Sequence, residues 1–80
     1  MNKCTHGLPR TMFWQGKLEF RAPSGQEGWK NVGGLAHTDA ETMWDFYQQI
    51  LSAETEQWVS QNPGSQVIAL TEFWATPNQL

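Results

Sequence analysis

The sequence predicts an α+β fold: a single ββαβ domain in which a three-stranded antiparallel sheet, in order 2-1-3, carries one helix packed on one face. Three observations predict it. Residues 11–21 alternate apolar and polar side chains with a period of two, as a half-buried strand does. Residues 38–61 repeat apolar side chains at spacings of three, four and seven, between a capping pattern and an Asn-Pro-Gly stop. Ala22 to Gly28 is dense in turn residues, as a hairpin connection requires. Eighty residues hold one such domain and leave no chain for a second core.

Residues 1–10 have no periodicity and carry Gly7 and Pro9, so they read as a loose N-terminal segment ahead of a domain spanning 11–76. The first strand, Thr11 to Arg21, places Met12, Trp14, Leu18 and Phe20 on one face and Thr11, Gln15, Lys17, Glu19 and Arg21 on the other. Phe13 adds an aromatic ring to that polar face. Gly16 in mid-strand marks a bulge or a close backbone approach. The second strand, Trp29 to Ala36, alternates poorly, and its Gly33–Gly34 pair suggests a bulge.

Thr38 is expected to open the helix through a Thr-x-x-Glu capping box with Glu41, with Asp39 favouring the positive end of the dipole. Ala40, Met43, Trp44, Tyr47, Ile50, Leu51 and Trp58 form the apolar stripe, and Asn62-Pro63-Gly64 ends it near Gln61. Glu54 falls within that stripe, so Ser52 to Glu56 is where a kink is expected. The last strand, Gln66 to Ala75, is apolar on both faces except at Thr71 and Glu72. Such a strand is either covered on both sides or offers one face to a partner. If it pairs with the first strand, the best-alternating strand sits at the centre of the sheet.

Composition narrows the function classes. The single cysteine, Cys4, can form no internal disulfide, which favours a reducing compartment. No apolar run approaches the ~18 residues of a membrane span, and the N-terminus lacks the apolar core of a signal peptide. The chain is therefore read as cytoplasmic. Its net charge of −3 is unevenly placed. Residues 1–30 hold five cations against two carboxylates, a balance of +3, and residues 31–80 hold six carboxylates with no Lys or Arg.

Candidate chemistry is sparse. Cys4, His6, His37 and Asp39 lack the paired spacings of a tetrahedral metal site. No nucleophile, base and orienting group stand in a recognisable set, so neither catalytic residues nor a cofactor are assigned. Val32-Gly33-Gly34 precedes a helix as phosphate-binding turns do, but it lacks the lysine of a P-loop and the third glycine of a dinucleotide turn. Phe13 with Lys17 and Arg21 could stack and neutralise single-stranded nucleic acid, although cations are few for that role.

The aromatics carry the stronger signal. Of five tryptophans, Trp14, Trp44 and Trp58 are assigned to the core. One helix buries one face of a sheet, so Phe13, Trp29 and one of Phe73 and Trp74 are surplus to that core. Surface aromatics framed by polar residues have the composition of a protein-binding hot spot.

No motif matches a known family. In fold shape alone, a small acidic ββαβ domain resembles the inhibitors that phages and other mobile elements encode, anti-CRISPR proteins among them. That resemblance implies a macromolecular target. The expected function is thus a non-enzymatic protein-binding domain anchored by Phe13, Trp29, Phe73 and Trp74. Asp45, Glu54 and Glu56 would form an acidic face that steers it toward a basic, nucleic-acid-binding surface. Homodimerisation through the same aromatics is the competing use, and a single-stranded nucleic-acid module is the alternative function.

Overall fold

The computed structural model describes residues 11–77 of the chain. The elements run β1 (Thr11–Arg21), β2 (Glu27–His37), α1 (Met43–Gln61) and β3 (Gln66–Pro77). The sheet is antiparallel throughout, in order β2-β1-β3, and α1 packs on one face, which is the ββαβ architecture that the sequence predicts. The loose segment expected at residues 1–10 lies outside the described residues.

Central β1 follows its alternation. Met12, Trp14 and Leu18 are buried on the helix side, while Phe13, Gln15, Lys17 and Glu19 alternate onto the other. The hairpin turn closes with Gly25 N donating to the Ala22 carbonyl at 2.8 Å. Pro23 sits second in that turn, and Gly25, at φ 92, sits fourth.

β2 runs two residues earlier and one later than the sequence suggests, because its pairing with β1 continues unbroken from Thr11↔His37 to Arg21↔Glu27. The bulge expected at Gly33–Gly34 is therefore absent. The two glycines answer different demands. A Cβ on Gly33 would stand 2.7 Å from the Trp14 carbonyl oxygen, and Gly34 has φ 149, a backbone state that favours glycine.

The irregular strand is β3. Its pairing passes from Gln15↔Trp74 to Lys17↔Thr71, so Gly16 faces two residues, and Glu72 takes up the bulge at φ 51. A second shift leaves Ile68 as the extra residue between Ala69 and Val67. The bulge at Glu72 resets the alternation. Leu70 and Phe73 both face the helix, while Trp74 turns to the opposite side. At the far end of the ladder Met12 faces Pro77.

The helix begins four residues later than expected. Thr42, not Thr38, is the N-cap, and its Oγ1 accepts from Asp45 N at 3.1 Å. Thr38 Oγ1 instead accepts from Ala40 N at 2.9 Å and donates to Gln49 Oε1 at 2.6 Å. Gln49 Nε2 in turn donates to Asp39 Oδ1 at 2.9 Å, so one amide holds the linker against the helix flank. Helix α1 continues through Ser52 without interruption to Gln61, where the Asn62 N–H and side-chain amide both donate to the Trp58 carbonyl.

Core membership differs at three positions of α1. Trp44, assigned to the core from its spacing, is 65% exposed, and Met43 is also exposed. Phe46, outside the expected stripe, is fully buried and joins Met12, Trp14, Leu18, Ala40, Ile50 and Leu70. The reason is phase: Phe46 and Ile50 lie one turn apart and centre the inward face nearer Ile50 than Trp44. Tyr47 completes the seam, its hydroxyl donating to the Leu70 carbonyl at 2.9 Å.

Candidate functional site

Helix α1 covers one side of the sheet, and among the described residues nothing covers the other. On the open side, Phe13 of β1 stands directly opposite Leu35 of β2, and Trp74 of β3 packs diagonally on Phe13 with ring centroids 5.8 Å apart. Cross-strand neighbours at this spacing make continuous contact. The result is an apolar cluster spanning all three strands. Leu35 is 61% exposed and Trp74 49%, values unusual for such large apolar side chains facing water together.

Trp29 and polar residues fill the rest of the face. Lys17 Nζ lies 4.5 Å from the ring centroid of Trp29 and 3.0 Å from Glu72 Oε2. Arg21 Nη2 contacts Glu27 Oε2 at 2.7 Å, and Thr71 Oγ1 donates to Glu19 Oε2 at 3.0 Å. A shallow depression floored by Gly33 and flanked by Phe13, Gln15 and Asn31 separates the apolar cluster from this polar zone. Its floor is low because Gly33 has no side chain to fill it.

The residues singled out in the sequence are distributed as follows. Phe13, Trp29 and Trp74 share the open face. Phe73 does not: it packs on the helix side, 5.2 Å from the Tyr47 ring and 6.1 Å from those of Trp14 and Phe46. Leu35 completes the cluster and was hidden in the sequence by the Gly33–Gly34 pair, which blurs the alternation of β2. Asp45 and Glu56 face solvent on the outer side of α1, away from the sheet. Glu54, about two and a half turns from Asp45, is half-buried on the inner side. These three carboxylates therefore do not form one face.

Glu54 instead lines a cleft between α1 and β2 with Leu18, Lys30, Val32 and Trp58. There the Trp58 ring tilts against Phe20 with centroids 4.2 Å apart and carries Lys30 Nζ at 5.0 Å, and its buried Nε1 has no acceptor among the described residues. A second exposed apolar spot joins Met43 and Trp44 to Tyr47 at the start of the helix, with Trp44 stacked on Tyr47 at 5.7 Å.

The remaining candidates come apart. Gly33 and Gly34 lie inside β2, paired with Gln15 and Trp14, so they form no strand-to-helix phosphate turn. Of the residues weighed for a metal, Cys4 and His6 lie outside the described residues. His37 Nδ1 is 3.0 Å from Thr11 Oγ1, and Asp39 is bonded to Gln49. Among the described residues, no three metal-ligating side chains converge, and no helix is long and apolar enough to cross a membrane.

These features define a small α+β domain with one aromatic sheet face left uncovered by its helix. No family model, curated protein or solved structure matches the chain.

Proposed function

We propose that this chain is a non-enzymatic protein-binding domain that inhibits or modulates a macromolecular target, of the kind phages and mobile elements encode. The observation that carries the reading is the cluster of Phe13, Leu35 and Trp74, presented on the open side and rimmed by polar groups. An apolar centre with a polar rim is the anatomy of a protein interface, and aromatic rings supply much of its binding energy. Trp29, held under Lys17, extends the same face.

Nucleic acid fits this face less well. Its two cations, Lys17 and Arg21, already contact carboxylates, and Glu19, Glu27 and Glu72 outnumber them. Phosphate neutralisation needs the opposite balance. Asp45 and Glu56, on the far side of the molecule, would steer a basic target only through the field of the whole chain.

The test is affinity capture of a partner with Phe13→Ala, Leu35→Ala and Trp74→Ala beside Trp44→Ala as a control. The open-face variants should each lose the captured protein by roughly tenfold or more, about 1.4 kcal/mol, while the control retains it. Retention by all three open-face variants removes the reading. Saturable quenching of tryptophan fluorescence by a single-stranded oligonucleotide at low salt would replace it with the nucleic-acid alternative.

A further inference from the structure

We infer that the chain forms a symmetric dimer in which the outer edge of β2 pairs antiparallel with β2 of a second copy. Three independent features support this occupant, and none rests on the target-binding reading.

The first is the state of the two sheet edges. In the order β2-β1-β3, both outer strands have one free edge, and a free edge is a template for another strand unless something blunts it. β3 is blunted: it carries two register shifts, Glu72 at φ 51, and Pro77 at its end. β2 is less so: its positive φ falls at Gly34, which takes that state without a bulge. Its 11 residues pair with β1 without a shift and contain no proline. None of them is buried, and among the described residues nothing pairs with the outer edge.

The second feature is room. The backbone of α1 lies nearest β3; toward β2 it sends the side chains of Glu54 and Trp58 over Lys30 and Val32, leaving a cleft rather than helix backbone beside the strand, so among the described residues its outer edge stays open to a second strand. A two-fold axis normal to the sheet would keep both helices on one side and both open faces on the other.

The third is self-complementarity. An axis through Val32, the midpoint of Glu27–His37, pairs the whole strand with no overhang. On the open side that register sets Trp29 against the partner's Leu35, apolar against apolar. At the ends it sets the Glu27 carboxylate beside the partner's imidazole. On the helix side Lys30, its Nζ over Trp58 of its own copy, stands against the partner's Gly34, where an added Cβ would meet no atom within 4 Å, so no side chain crowds that rung. Antiparallel pairing supplies roughly one hydrogen bond per residue along such a ladder. The two open faces would then join into one six-stranded surface.

Sedimentation of the full chain over a wide concentration range, with residue-resolved amide exchange at each end of it, tests the inference. A dimer is expected, and the β2 amides that do not bond to β1 should exchange about tenfold more slowly where nine chains in ten are dimeric. A monomer at every concentration overturns the proposal. So does a dimer whose outer β2 amides exchange equally fast at both ends, which would place the contact on the open face instead. The register has its own check in a Cys4→Ser background: Val32→Cys should cross-link to itself on oxidation and Asn31→Cys should not. The reverse pattern overturns the assigned axis.

Discussion

Gly33 and Gly16 show how a single missing side chain fixes the sheet. At Gly33 a Cβ would meet the Trp14 carbonyl oxygen at 2.7 Å, and backbone on a central strand has nowhere to go. At Gly16 the nearest obstacle is Leu70 Cδ1 at 3.0 Å, the end of a side chain that can change rotamer. Gly33→Ala should therefore cost about 2–3 kcal/mol and Gly16→Ala about 1 kcal/mol or less, read from the urea midpoints of the two variants. Equal losses would mean that the close approach of β1 and β2 at Trp14 does not constrain the sheet. Both glycines stand out in the sequence as interruptions of a strand. Which of them opposes a bulge and which admits a carbonyl depends on the neighbouring strand, and no local pattern contains that neighbour.

At the scale of elements, α1 gives the clearest test of packing. Phe46→Ala should destabilise the fold by about 3–5 kcal/mol, whereas Trp44→Ala, at an exposed ring, should cost under about 1 kcal/mol. Thermal melts of the two variants decide it, and a larger loss at Trp44 would restore the stripe read from spacing. The strands were legible because the period of two in β1 needs no partner to be seen, and its apolar positions fix the central place. The helix end was legible because Asn62-Pro63-Gly64 acts locally. The helix start was not, since Thr38-x-x-Glu41 and Thr42-x-x-Asp45 are competing caps four residues apart. What separates them is the Gln49 amide, which engages Thr38 and Asp39 from eleven and ten residues further along. Phe73 and Trp74 were equally undecidable: adjacent aromatics in a strand take opposite faces, and the bulge at Glu72 settles which.

For the whole molecule, the sequence suggests a charge division between a cationic hairpin and an anionic helix. Folding sets two of the hairpin's cations in local ion pairs, Lys17 on Glu72 and Arg21 on Glu27. Exposed pairs of this kind contribute about 0–1 kcal/mol each, so they neutralise the open face more than they stabilise it. The aromatic excess was readable as an excess, and the two-layer architecture explains it, because a single helix leaves one side of the sheet without a cover. The pairing of Met12 with Pro77 has a mechanical consequence. The described chain enters and leaves the sheet side by side on adjacent antiparallel strands. Tension applied between Thr11 and Pro77 would pull perpendicular to those strands, loading the rungs between β1 and β3 one after another, like a zip. In single-molecule pulling, handles at those two positions should open the domain at lower force than handles at Thr11 and Gln66, which lie at opposite ends of β1 and β3 and would load the rungs between them in shear at once.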